Sequence, residues 1–305
     1  VTRSARIRVA CALLLAACAT RPPPPVETGQ LFLWEIARAD GRGGVAHLMG
    51  SVHLSDAAIH FDPAVEGALA AAEVLVLEVD PEELDPASMA QLTARTGFFT
   101  DGRNLRSVLS SETFELLEER LEGHGLRPEP FLTMEPWLVG LTLQMLHFQS
   151  RGYEADRGVD MALARSAGAE GKAIAGLETA DAQMAALDSL PLATQELMLR
   201  DLLADEGRSE EGLALMLDAW RKGDAARIEA EVFAGLGRDP ALDAFFEALY
   251  FERNRRMAHG IAEIVDRGGV AFVVVGAGHV VGARGVPALL AEAGFSVRRL
   301  AKSRP

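Results

Sequence analysis

The sequence predicts an α/β protein, a mixed β-sheet flanked by helices and carrying a mainly helical insert. Short apolar runs of strand length, Val45 to Met49, Val74 to Leu77, Lys172 to Leu177 and Val270 to Val275, are separated by segments with helical spacing. Two of these runs deliver the same step, Gly50-Ser51-Val52-His53 and Gly276-Ala277-Gly278-His279. From Thr179 to about Asp266 strand signals are sparse, and Leu213, Leu217, Trp220 and Ile228 follow a helical spacing.

The first residues read as an export leader. Arg3, Arg6 and Arg8 precede the apolar run Val9 to Ala17, which is too short for a stable membrane-spanning helix. Residues 1–17 are therefore expected to be a lipoprotein-type signal peptide. Leu15-Ala16-Ala17-Cys18 resembles a bacterial lipobox, with Cys18 carrying the lipid after cleavage; an ordinary small-residue cleavage site is the simpler alternative. Residues 18–30 form a linker stiffened by Pro22-Pro23-Pro24-Pro25. The expected location is the cell envelope, with the protein lipid-anchored to a membrane and facing the periplasm.

The main domain is expected over residues 31–302. Leu31 to Ala37 and Val45 to Met49, joined by a glycine-rich turn, predict a β-hairpin running into His53. Asp62-Pro63 opens a helix through Ala72, Asp as cap and Pro in the first turn. Val74 to Leu77 has the continuous apolar character of a strand buried on both faces, and it brings Glu78 to a strand end. Ser110 or Ser111 caps a helix stopping near Gly123, and Pro136 to Gln149 is apolar enough for a core helix. Asp160 to Ala167 reads as a helix and Lys172 to Leu177 as a strand delivering Glu178. After the helical insert, about 179–266, the chain returns to a strand at Val270 to Val275, a helix at Gly285 to Ala293 and a last strand at Phe295 to Leu300.

Composition narrows the function. The formal net charge is −14, and loss of the leader removes three arginines and no acid, making it −17. That balance argues against nucleic acid as a partner and against an electrostatically held membrane surface, leaving the lipid anchor as the only membrane contact. Cys11 goes with the leader, so Cys18 is the one cysteine of the mature chain, and neither a disulfide framework nor a thiolate site is available. There is no His-Glu-x-x-His, no Walker loop and no Gly-x-Ser-x-Gly elbow. Gly276-Ala277-Gly278 invites a dinucleotide reading, but the third glycine falls one residue late, at Gly282, and the following strand ends without an acid for a ribose.

What remains is His53, Glu78, Glu178 and His279, each at or just past a strand-like run. Two imidazoles with one or two carboxylates can hold a divalent metal that polarises a carbonyl and acidifies water. A metal-free arrangement, with one histidine as general base oriented by a glutamate, uses the same residues. His47 reads as a sheet-face residue, His60, His124 and His259 as turn or surface residues, and His147 as a core histidine.

The chain resembles the TraB/GumN family, related to the Tiki-type metalloproteases. The resemblance rests on Leu31-Phe32-Leu33-Trp34, Gly50-Ser51-Val52-His53-Leu54, Leu77-Glu78, Glu135-Pro136-Trp137, Gly158-Val159-Asp160, Gly171-Lys172, Leu177-Glu178-Thr179, Gln183, Trp220, Gly223-Asp224, Glu252-Arg253-Asn254 and Val275 to Gly282. Val280 stands where the family usually has Leu after the second histidine. The resemblance implies that both Gly-x-x-His steps converge on one site. For the Tiki-type relatives it implies divalent-metal-dependent peptide-bond hydrolysis, with a peptide or small molecule as substrate. On that reading His53, Glu78 and His279 are metal ligands, Glu178 is a fourth ligand or general base, and Arg253 stabilises the transition state. The metal is manganese, cobalt, iron or zinc, which this donor set does not distinguish. The alternative is a non-catalytic lipoprotein that binds or sequesters peptides in the same cleft, and a metal-free, esterase-like hydrolase stands third. Asp160 and Gln183 also fall on the family pattern, but a helix N-cap and a structural hydrogen bond account for them, and neither is assigned a site role.

Overall fold

The computed structural model describes residues 29–303; the leader, Cys18 and most of the proline-rich linker lie outside them. Six strands form one mixed sheet: β1 (Gln30–Arg38), β2 (Val45–Ser51), β3 (Val74–Val79), β4 (Ala173–Glu178), β5 (Val270–Gly276) and β6 (Phe295–Ala301), in the spatial order β4-β3-β5-β2-β1-β6. β1 pairs antiparallel with both β2 and β6, whereas β2 with β5, β5 with β3 and β3 with β4 are parallel. The predicted mixed sheet with flanking helices is the observed architecture.

The hairpin forms as its alternation dictates, and Gly44 makes its entry possible. A Cβ there would stand 2.2 Å from the carbonyl oxygen of Gly269, so only glycine lets the turn lie against the start of β5. β5 is the most deeply placed strand, with Ala271, Phe272, Val273, Val274 and Val275 all buried, as an all-apolar strand with neighbours on both sides must be. Asp62 caps helix Pro63–Ala71 by accepting from the Ala64 N–H at 2.9 Å.

The helical layer is larger than the predicted insert. Between Thr179 and Asp266 the chain forms helices Ala180–Asp188, Leu192–Ala204, Glu206–Lys222, Ala225–Val232 and Pro240–Phe246, then a π-helical turn, Glu247–Phe251, that runs into Glu252–Arg267. Helices from between β3 and β4 join them: Ser111–Gly123 and Pro136–Ser150 pack on Leu192–Ala204 around a second apolar cluster of Leu105, Leu117, Leu121, Val139, Leu143 and Leu199. The predicted boundary at residue 179 marks a change in sequence pattern. It does not divide the packing, because the apolar face of Pro136–Ser150 is covered by helices from the later segment. His147 is buried in this layer, 3.8 Å from Glu210. Among the described residues no helix is long and apolar enough to cross a membrane.

Candidate functional site

The two Gly-x-x-His steps leave neighbouring parallel strands at almost the same level, since Gly50 pairs with Val275 and Ser51 with Gly276. Glu78 arrives from β3, on the other side of β5. All three side chains turn toward the end of β5. A Cβ built on Gly276 would lie 3.0 Å from His53 Nε2, 3.2 Å from Glu78 Oε1 and 3.6 Å from His279 Cδ2. The missing side chain of Gly276 is the space around which they gather.

Each ring is fixed from behind. His53 Nδ1 lies 2.9 Å from Asp160 Oδ2, and the other oxygen of that carboxylate accepts from Ser51 Oγ at 2.7 Å. The loop after β2 is tied to the start of helix Val159–Ala169 by the Val159 N–H on the Val52 carbonyl at 3.0 Å. Gly158 permits the approach, because a Cβ there would meet the His53 carbonyl oxygen at 2.3 Å. His279 sits in the short 3₁₀ turn Ala277–Val280, with its Nδ1 2.6 Å from Asn254 Oδ1. Asn254 Nδ2 donates to the Arg284 carbonyl at 2.8 Å, which orients the amide so that Oδ1 must accept from His279 Nδ1–H. The lone pair of neutral His279 is therefore on Nε2, which lies 3.8 Å from Glu78 Oε1. The ring of Tyr250, from the π turn, packs on His279 with centroids 5.1 Å apart.

Glu78 is held at both oxygens. Oε2 accepts from Arg253 Nη2 at 2.6 Å and Gln183 Nε2 at 2.9 Å, and Oε1 accepts from the Gly276 N–H. Arg253 is buried and bridges the two glutamates, giving Nε to Glu178 Oε2 at 2.8 Å and Nη1 to the Leu249 carbonyl at 3.1 Å. Glu178 lies behind Arg253, and its other oxygen meets Arg256 at 3.3 Å. Both of its oxygens thus face arginines, and no contact joins it to either histidine.

The electrostatics separate the two imidazoles. Burial and Arg253 work against a charge on His53, but Asp160, assisted by Glu78, outweighs them and raises its pKa to about 9. Burial, then Arg253 and His53, push His279 down to about 3, with Glu78 alone pulling the other way. Burial opposes the charge on Glu78, yet Arg253 foremost, then both histidines and the Gly276 N–H, hold its carboxyl well below the usual carboxylate range.

Among the described residues no three His, Cys, Asp or Glu side chains stand together as a ready metal-ligand cluster. The donor chemistry nonetheless suits one: two imidazoles tied at Nδ1, with His53 Nε2 and Glu78 Oε1 beside Gly276 and His279 Nε2 3.8 Å from that same Oε1. Asp160 and Gln183, given no site role from sequence, are the groups that hold His53 and Glu78. The N-cap explanation of Asp160 does not apply, because Gly158 is the cap residue of that helix. Their positions in the family pattern were the available signal; nothing in their spacing tied them to a histidine or a glutamate more than 100 residues away. Of the remaining histidines, His47 lies on the sheet 4.0 Å from Glu35, with its Nδ1 buried and unbonded.

No solved structure matches this chain. Two curated relatives are each named "Uncharacterized protein YbaP". The one from Shigella flexneri is 29% identical over 147 residues, 48% of this chain and 53% of the relative. The one from Escherichia coli is 29% identical over 146 residues, 48% of this chain and 52% of the relative. The chain thus spans about half the length of the curated relatives it matches. Agreement with a family model extends much further, from residue 32 to residue 299, and on that match the chain belongs to the TraB/PrgY/gumN family.

Proposed function

We propose that this protein is a divalent-metal-dependent hydrolase that cleaves peptides at the cell envelope, with His53, Glu78 and His279 as the metal ligands. The carrying observation is that the Nδ1 atoms of both histidines are bound by acceptors, Asp160 and Asn254, while both rings and Glu78 Oε1 surround Gly276. A bound divalent metal supplies Lewis acidity and a water acidified toward neutrality. Asp160 keeps His53 oriented and increases the basicity of its Nε2, as carboxylates do behind metal-binding histidines. Asn254 sets the His279 tautomer that leaves Nε2 unprotonated.

Arg253 is the group placed to meet developing negative charge. Three of its five N–H donors are engaged, by Glu78, Glu178 and the Leu249 carbonyl, and two remain for a substrate oxygen. With both oxygens on arginines, Glu178 fits the role of positioning Arg253 better than that of a ligand or general base.

A metal-free hydrolase is the second reading, favoured by the opposite shifts of the two histidines. An imidazolium at His53 and a neutral His279 are the protonation states of an acid and a base that share a site. Elemental analysis of protein purified without chelator, beside the His53→Ala/His279→Ala double variant, separates the two. About one metal per chain, lost in the variant, is the expected result. Metal-free protein whose peptide hydrolysis is indifferent to chelators would replace the first reading with the second. Peptide binding without hydrolysis in the metal-loaded protein would leave a sequestering protein.

A further inference from the structure

The two edges of the sheet are finished differently. β6, at one edge, carries Arg298 and Arg299, the charged residues with which exposed edges are usually guarded against pairing. β4, at the other, reads Ala173-Ile174-Ala175-Gly176-Leu177 before Glu178, with no charge and no proline through Leu177 and no fully buried residue. Among the described residues its strand pairing is with β3 alone, and residues 173–178 make no other backbone hydrogen bond. One side of its main chain is therefore a row of open N–H and C=O groups.

Beside that edge lies a cavity of about 370 Å³ between the sheet and helix Glu252–Arg267, lined by Val74, Val76, Ala175, Leu177, Gly260 and Ile264 among others. The small residues Ala175 and Gly260 keep it open; Leu177 would stand 3.3 Å from a Cβ on Gly260. β4 ends at Glu178, which holds Arg253, which in turn holds Glu78. β4 therefore ends at the same end of the sheet as the candidate site, two strands away from Gly276.

We infer that the free edge of β4 and its cavity are the docking edge for an extended peptide, which adds a seventh strand and places one apolar side chain in the cavity as its chain runs on toward Gly276. The occupant is specified by chemistry: unpaired main-chain donors and acceptors recognise another main chain, and the uncharged strand adds no charge of its own to the Glu73, Glu263 and Arg267 that also line the cavity. This inference rests on the proposed peptide substrate class, but docking needs neither metal nor turnover.

The test therefore uses the His53→Ala/His279→Ala protein, in which binding is separated from hydrolysis. The probe is a fluorescein-labelled, end-blocked decapeptide of alternating Thr and Val with one central Leu. Saturable anisotropy binding is expected, accompanied by slower amide exchange at residues 173–177. Methylating alternate backbone nitrogens of the probe should weaken binding at least about tenfold, a ligand-side change that does not depend on a variant folding. Ala175→Lys, which puts a charge at the cavity mouth, should do the same while leaving the circular dichroism spectrum unchanged. No binding, equal binding of the methylated probe, or protection elsewhere than β4 would overturn the inference. So would protection of 173–177 that rises with protein concentration in the absence of peptide, since the edge would then belong to a second copy of the chain. Any of those results leaves the metal analysis, and with it the hydrolase reading, untouched.

Discussion

Replacing Arg253 by Met retains the length of the side chain and removes the cation that joins two buried glutamates. In the native protein its contacts to Glu78 at 2.6 Å and Glu178 at 2.8 Å are nearly closed to water, the side chains being 9%, 11% and 3% exposed. Removing one partner of a buried pair typically costs about 3–5 kcal/mol, because the other charge stays behind unpaired. Here Gln183 and the Gly276 N–H still serve Glu78, and Arg256 still serves Glu178, so the lower end, about 3 kcal/mol, is expected. For a chain of this size that is a fall of about 6 °C in Tm, readable by urea and thermal unfolding. The pH dependence gives a second reading. Glu78's folded pKa is depressed, so its stabilisation is complete above the unfolded carboxylate value, about 4.3, and is lost as pH falls through the folded value. Without Arg253 the depression is smaller, so the variant loses less on acidification and the gap to wild type narrows below about pH 4.5. Adding Glu78→Gln to Arg253→Met should recover part of the loss, since charge and partner then leave together. A loss under about 1 kcal/mol at pH 7, or a gap that widens in acid, would refute the account of Arg253 as the buried bridge.

Gly276→Ala places a methyl group 3.0 Å from His53 Nε2 and 3.2 Å from Glu78 Oε1. The methyl meets side-chain atoms and no backbone, so the fold should persist, while displacing these tethered groups weakens cobalt binding, followed by titration calorimetry, at least about tenfold. Asn254→Leu removes the acceptor of His279 Nδ1–H, and metal affinity should fall about 10- to 100-fold; unchanged affinity would remove Asn254 from the site. Cys18→Ser should abolish lipidation, and either block maturation or release the domain as a soluble species; a variant that matures and partitions with membranes as wild type does would end the lipoprotein proposal.

Elements with strong local signals were legible in the sequence. β1 and β2, the helix capped by Asp62, the core helix from Pro136, and β5 all form where periodicity, capping and apolar runs place them. Relations carried by long-range packing were not. The edge position of β4 and the central position of β5 follow from which strands pair, and an apolar run of four to seven residues reads alike in either place. Likewise Pro136–Ser150 was legible as a buried helix, but its partner, Leu192–Ala204, was not, since an apolar face does not name what will cover it.

The residues gathered at Gly276 were visible as strand-end residues, yet what brings them together is the strand order. The chain passes from β2 to β3 while leaving a gap between them, and β5, arriving almost 200 residues later, fills it. The end of β5 is therefore flanked by His53 on one side and Glu78 on the other, and the turn beyond it supplies His279. A side chain at the last residue of β5 would occupy the point where all three meet, and that residue is glycine. The first glycine of the second motif thus differs in function from that of the first. Gly50 lets Val280 pack close, a Cβ there meeting Val280 Cγ2 at 2.6 Å, while its carbonyl accepts from Trp220 Nε1 at 2.7 Å. Gly276 keeps the centre of the cleft open. The two motifs look like copies in sequence, but only the second glycine lies in the gap between the other two strands, so only its replacement should act on the site directly.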